Sequence, residues 1–249
     1  MTELLNYKLP RDRIFSNKKI KEQIMARLES GLIISCQAVK GEPLYGLGIM
    51  HHFARAAVLG GAKGIRANYV SDINAIKKEV EVPVIGIIKA VYEGSEVYIT
   101  PTLKEVKELL TTHCEVIALD ATNRERPNGE QLCDLVDYIR KNAPEVEIMA
   151  DCSTFEEAKA ADEMGFDYVG TTMRSYTSYT KGIEIPDYDL ISKMVKELNA
   201  RVIAEGGIWE VSQLKKVLDC NPYAVVIGSA VTRPMDITRR FADCFNNKE

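Results

Sequence analysis

The chain of 249 residues has no C-x-x-C pair, only three histidines, no low-complexity tract and no apolar run long enough to span a membrane. Each absence removes a class of function. Its six cysteines, Cys36, Cys114, Cys133, Cys152, Cys220 and Cys244, are scattered. That scatter suits neither a metal-ligand cluster nor a disulfide framework, so reduced thiols in a cytoplasmic protein are expected. His51 and His52 fall together in a helical stretch and His113 ends another, which marks them as surface or packing residues. The net charge of −4 is spread along the chain, so no basic stripe points to nucleic acid. The opening stretch MTELLNYKLPRDRIF lacks the apolar centre of a signal peptide, and no membrane partner is expected.

What is present is an alternation of short β-rich runs with amphipathic helical stretches. The runs are LIISCQAV (32–39), AKGIRAN (62–68), PVIGIIKA (83–90), EVIALDAT (115–122), VEIMADC (146–152), DYVGTT (167–172), RVIAEGG (201–207) and YAVVIGSA (223–230). Between them lie helical patterns such as TLKEVKELLTTH and DYDLISKMVKELN. Thr102 and Thr154 are expected N-caps, the latter with Glu157 at capping-box spacing, and Gly165 is an expected helix stop. Eight strand–helix units without a Pro/Gly-rich linker predict one α/β domain over 1–249, a closed (β/α)8 TIM barrel. The N-terminal extension, residues 1–30, contains most of the helical stretch NKKIKEQIMARLESG and is expected to cover the bottom. An open doubly wound sheet is the alternative, disfavoured by the count of eight and by the lack of G-x-G-x-x-G after the first run.

In such a barrel the C-terminal strand ends carry the site. Read in order they are Gln37, Arg66, Lys89, Asp120, Asp151, Thr172, Glu205 and Ser229, all polar. Period-2 alternation places Ser35, Gly64 and Ala118 on the inner face with Gln37, Arg66 and Asp120, and leaves Ile34, Ile65, Ile117 and Leu119 for the helices. Asp120 and Asp151 could equally cap the loops that follow. Lys89 is the hardest to explain by packing, because it ends an apolar run and lysine is seldom buried without a partner. Beside a cation such as Arg66 its pKa would fall. Gly86 could leave room nearby, although parity puts Ile87 on the side of Lys89.

The last two strands end in EGGI (205–208) and IGSAVTRP (227–234). Gly206, Gly207, Gly228 and Ser229 there, with Arg233, match the place where barrels hold a phosphate on backbone N–H groups. Strands three and seven lie opposite each other in an eight-stranded barrel, so Lys89 and Glu205 face a central substrate from two sides. Opposed acid/base groups suit inversion at a carbon next to a carbonyl.

The stretches IISCQA, GIRAN, IGIIK, YITPT, IALDAT, MADCST, AEGGI and VIGSAVTRP, in this order from about residue 31 onwards, resemble the bacterial N-acylmannosamine-6-phosphate 2-epimerase family. The resemblance implies a TIM barrel without a cofactor or metal, acting on N-acetylmannosamine 6-phosphate and N-acetylglucosamine 6-phosphate in sialic-acid catabolism. It implies Lys89 and Glu205 as catalytic residues, Gln37, Arg66 and Asp151 as substrate-binding residues, and Arg233 at the phosphate. A single-base mechanism on Lys89 stays open beside a two-base one. Ala90 stands where a charged residue is common in relatives, and Gly207 where an arginine is. The loop MRSYTSYTKG (173–182) is either a lid or an ordinary polar loop. A Schiff-base lyase using Lys89 as nucleophile and a non-catalytic phosphosugar sensor are the competing readings. A homodimer is expected from the prevalence of two-fold assemblies.

Overall fold

Eight parallel strands close into a barrel in chain order, β1 pairing with both β2 and β8. They are β1 (Gly31–Cys36), β2 (Gly64–Asn68), β3 (Val84–Ile87), β4 (Val116–Asp120), β5 (Glu147–Asp151), β6 (Tyr168–Gly170), β7 (Arg201–Glu205) and β8 (Ala224–Ile227). The computed structural model describes residues 27–246. The first seven strands are followed by helices α1 (Met50–Leu59), α2 (Val70–Glu79), α3 (Leu103–Leu110), α4 (Leu132–Asn142), α5 (Phe155–Glu163), α6 (Tyr188–Glu197) and α7 (Val211–Asp219). After β8 come a single turn, α8 (Ser229–Thr232), and a longer helix, α9 (Pro234–Asn246). Each of the eight expected strands is present, and the open-sheet alternative is set aside by the β1–β8 pairing. The expected helix over the N-terminal stretch lies, up to residue 26, outside the described residues; its last part is not helical, since residues 27–30 are irregular and Gly31 opens β1.

The alternation read from the sequence is the one the barrel uses. Ile33, Ile85, Ile87, Val116, Ala118 and Ile203 pack with one another inside the barrel. Ile34, Ile65, Ile117, Leu119 and Val169 pack outward under the helices. Period-2 strands thus feed two separate apolar layers, and the buried thiols of Cys36, Cys114 and Cys152 belong to the outer one. Leu28 and the Tyr223 hydroxyl, which donates to the Leu28 carbonyl at 2.5 Å, close the lower end of the interior.

Local signals fix the helix ends. Thr102 and Thr154 both form capping boxes, with Glu105 and Glu157 respectively. Gly165 takes φ +84° just past α5, the left-handed conformation that ends a helix most cheaply on glycine. Gly86 faces outward and not beneath Lys89. A Cβ built there would stand 2.7 Å from Cys114 Sγ and 3.2 Å from both Ile73 Cδ1 and Leu109 Cδ2. Its missing side chain lets α2 and α3 sit close on β3. We expect Gly86→Ala to lower unfolding stability by about 1–3 kcal/mol through overpacking. Cys114→Ala in the same chain should recover part of that loss in a denaturant titration; an additive double variant would show that the contact is not the cause.

Candidate active site

Arg66 leaves β2 and crosses the interior to β5. Its Nη1 donates to Asp151 Oδ1 at 3.1 Å and its Nη2 to Asp151 Oδ2 at 2.6 Å, a two-bond fork between groups that are 1% and 0% exposed. The same Nη1 lies 3.4 Å from Glu205 Oε2 on β7. Burial alone would pull the guanidinium pKa down. The carboxylates of Asp151 and Glu205 outweigh that and hold it above its ordinary value. One cation therefore ties together three strands that are not neighbours.

Lys89 stands two residues beyond the end of β3. The chain after it doubles back, so that Lys89 forms an antiparallel bridge with Ile99 and the Ala90 N–H donates to the Tyr98 carbonyl at 3.0 Å. The Lys89 N–H donates to Asn68 Oδ1 at 2.9 Å, which fixes the backbone of the lysine to β2. Burial is the main cause that lowers the Lys89 pKa to about 8; the positive charges of Arg66 and Arg233 add to it, and Glu205 and Asp151 oppose it. Glu205 shifts the other way. Burial raises its pKa first, Arg66 and Lys89 pull against that, Asp151 adds to the rise, and Thr172 would lower it only if its hydroxyl proton went to Glu205. Each of the two groups is thus moved from its ordinary value toward neutrality, the pairing expected of an acid/base couple.

Both side chains line one cavity of about 430 Å³ at the C-terminal mouth of the barrel, together with Gln37 and Arg66. Gln37 Nε2 donates to Ser35 Oγ at 2.7 Å, while Gln37 Oε1 is buried without a partner, an acceptor free for a ligand. Gly206, Gly207, Gly228, Ser229 and Arg233 line the same cavity. Gly207 takes φ +71°, and a Cβ there would come within 2.5 Å of the Ile185 carbonyl oxygen. No side chain, arginine included, fits that position with this backbone. Arg233 is paired with Glu42 at 3.0 Å, and Thr232 anchors α8 by donating to the Ser35 carbonyl at 2.6 Å.

Two strand-end carboxylates do not face the cavity. Asp151 lies below it, wholly occupied by Arg66 and by the Thr172 hydroxyl, which donates to its Oδ1 at 2.6 Å. Asp120 turns to its own loop, accepting from the Thr122 N–H at 3.1 Å, from the Thr122 hydroxyl and from Arg124. This is the loop-capping alternative. Ala90 and the histidines are not among the lining residues, and no three side chains of His, Cys, Asp or Glu converge as a metal would need, among the described residues.

Sequence reasoning missed Tyr98, Tyr176, Trp209 and Gln213, which also line the cavity. Tyr98, Tyr176 and Trp209 sit on loops and Gln213 in the first turn of α7, away from the strand ends where strand periodicity carries a signal. Tyr98 comes from the doubled-back segment after β3; burial raises its phenol to about 12, with Asp120 and Asp151 adding. Tyr176 is the residue of the 173–182 loop that reaches the cavity. The rest of that loop is tied down: the Ser175 N–H donates to Thr180 Oγ1 at 3.1 Å, and Arg174 pairs with Asp187 at 2.7 Å.

Comparison with known proteins agrees with this geometry. Residues 50–247 match the NanE family profile, described as "Putative N-acetylmannosamine-6-phosphate epimerase". A Staphylococcus saprophyticus protein named "Putative N-acetylmannosamine-6-phosphate 2-epimerase" is 54% identical over 221 residues, covering 88% of this chain and 99% of that protein. One of the same name from Caldanaerobacter subterraneus is 47% identical over 218 residues, covering 88% and 92%. The solved N-acetylmannosamine-6-phosphate 2-epimerase from Clostridium perfringens is 50% identical with a TM-score of 0.84, over 87% of this chain and 94% of that one. Thiamine phosphate pyrophosphorylase from Pyrococcus furiosus, 17% identical with a TM-score of 0.55 over 85% of this chain and 91% of that one, shares the fold alone. By profile, sequence and structure, the chain belongs to the NanE family of N-acetylmannosamine-6-phosphate 2-epimerases.

Proposed function

We propose that this protein is an isomerase that interconverts N-acetylmannosamine 6-phosphate and N-acetylglucosamine 6-phosphate by removing and returning the proton at C2, a step of sialic-acid catabolism. The observation that carries this reading is that Lys89 and Glu205, from strands four apart in the barrel, line one cavity together with the glycine-containing ends of β7 and β8. Inversion needs a proton to leave one face of C2 and another to arrive on the opposite face. Neutral Lys89 accepts from its side while Glu205 donates from the other, and the reverse reaction exchanges the roles. Between those steps negative charge gathers beside the C1 carbonyl, and Arg66, fixed by Asp151, is a cation already in place to balance it.

Binding divides between the two ends of the cavity. Gly206, Gly207, Gly228 and Ser229 offer backbone N–H groups to the phosphate. Arg233 joins them once it turns from Glu42 to the ligand. Gln37 Oε1 accepts from a sugar hydroxyl or the acetamido N–H. Asp151 contributes by holding Arg66 and Thr172 in position. The Gly-rich approach to the phosphate and the fixed 173–182 loop describe a site formed before the substrate arrives. No helix among the described residues is long and apolar enough to cross a membrane, and a cytoplasmic setting fits a phosphorylated substrate.

A homodimer is also part of this reading. None of the residues of α9 is buried, and Phe241 on it is 75% exposed. It offers apolar area that a second copy would cover. Light scattering should give twice the chain mass at micromolar concentration, and Phe241→Asp should raise the dimer dissociation constant at least about tenfold. A monomeric wild type would refute the dimer.

For the chemistry, incubation with N-acetylmannosamine 6-phosphate in heavy water should place deuterium at C2 and yield the gluco epimer. Lys89→Ala should lose this exchange by at least about 100-fold while still binding the sugar phosphate. A covalent adduct on Lys89, trapped by borohydride with substrate present, would instead indicate an imine-forming lyase. Substrate bound by the folded protein without exchange would indicate a sensor.

A further inference from the structure

Thr172 sits between two carboxylates. Its Oγ1 is 2.6 Å from Asp151 Oδ1 and 3.1 Å from Glu205 Oε2. A hydroxyl has one proton and two lone pairs, so it can donate to one of these oxygens and not to both. Two facing oxygens with no proton between them repel. Whichever carboxylate does not receive the threonine proton must therefore carry a proton of its own for the contact to be favourable.

The surroundings decide which one that is. Asp151 is 0% exposed and holds the two-bond fork with Arg66, which stabilises it as a permanent anion. It also makes the shorter contact with Thr172. Glu205 is only loosely paired, 3.4 Å from Arg66 Nη1, and is 16% exposed at the cavity. The other charged or titratable groups near Glu205 are Lys89 from the segment after β3, Asp151 from β5 and Tyr176 from the loop after β6. Arg66 and Lys89 favour its carboxylate form and Asp151 disfavours it; Thr172 would favour the carboxylate only by donating its proton to Glu205, and that proton is drawn to Asp151 at the shorter distance.

We propose that Thr172 is a positioning residue that stabilises Glu205 in its acid form, by committing its only proton to Asp151 and presenting a lone pair to the Glu205 O–H. The inference rests on the reading of Glu205 as an acid/base group. The proton order is Glu205 Oε2–H to Thr172 Oγ1, and Thr172 Oγ1–H to Asp151 Oδ1, with Arg66 closing the chain. When Glu205 gives its proton to the substrate carbon, the O–H electron pair stays on the carboxylate. That carboxylate then faces a lone pair on one side and Arg66 on the other, an anion ready to take a proton back. A hydroxyl that donated to Glu205 would favour the spent form instead.

The test is the titration of Glu205, followed by carbon NMR in protein labelled at the glutamate carboxyl carbon and assigned with Glu205→Gln. Thr172→Val keeps the shape and removes both the lone pairs and the proton. The Glu205 midpoint should then fall by about one pH unit. Thr172→Ser should restore it to within a few tenths. Thr172→Ala should show the same fall as Thr172→Val and serves where the valine variant does not fold. An unchanged midpoint in a folded Thr172→Val would reduce Thr172 to packing, and a rise would mean that its proton goes to Glu205; either overturns the proposal. The titration needs no turnover, so its outcome stands apart from the epimerase reading, whose failure would appear as absent C2 exchange in the wild type.

Discussion

A guanidinium crosses the barrel from β2 to β5, and Asp151 holds it there with two hydrogen bonds in a region closed to solvent. Much of the site depends on that pair. Losing one partner of a buried ion pair typically costs about 3–5 kcal/mol, because the other charge is left without compensation. Most of the pair's remaining groups are arranged around it, although the Arg66 Nε–H is buried without a partner. Asp151 also accepts from Thr172, and Arg66 also reaches Glu205 and the Met149 sulfur. The pair fixes where positive charge stands in the mouth of the barrel before any substrate enters.

From that fixed charge the chemistry of the two flanking groups follows. Lys89 is removed from water at the end of an apolar strand and looks toward Arg66, so its ammonium form is disfavoured. Glu205 is removed from water and looks toward Asp151, so its carboxylate form is disfavoured. A lysine with a lowered pKa and a glutamate with a raised one lie closer together in proton affinity than they would in water. This is the condition for a proton to be taken by one and given by the other without either being locked in its ionised form. A reaction that needs neutral Lys89 together with protonated Glu205 gains with pH as the lysine loses its proton and declines as the glutamate loses its own, a bell-shaped dependence.

Much of this was legible in the sequence, for a physical reason. A barrel strand alternates between two layers, so a polar residue ending an apolar run must emerge at the mouth. That logic placed Gln37, Arg66, Lys89 and Glu205 on one cavity. It could not separate Asp151, which points inward but lies beneath the cavity and serves Arg66, from the residues that line it. Nor could it say that Asp120 turns to Thr122 and Arg124, since inward parity does not reveal which partner a side chain finds. The loop residues Tyr98, Tyr176 and Trp209 were out of reach because loops have no period. Gly207 was legible as a turn, but its intolerance of any side chain depends on Ile185, twenty-two positions earlier in the chain and adjacent only in the fold.

The central claim is that the barrel, through desolvation and Arg66, makes Lys89 a base near neutral pH. Reductive methylation of the lysines with carbon-13 formaldehyde, with the Lys89 signal assigned from Lys89→Arg, follows the titration of Lys89 beside that of the exposed lysines, which give the ordinary value for the same methylated amine. The expected midpoint is about 8. A midpoint at the ordinary lysine value of about 10.4 would contradict it.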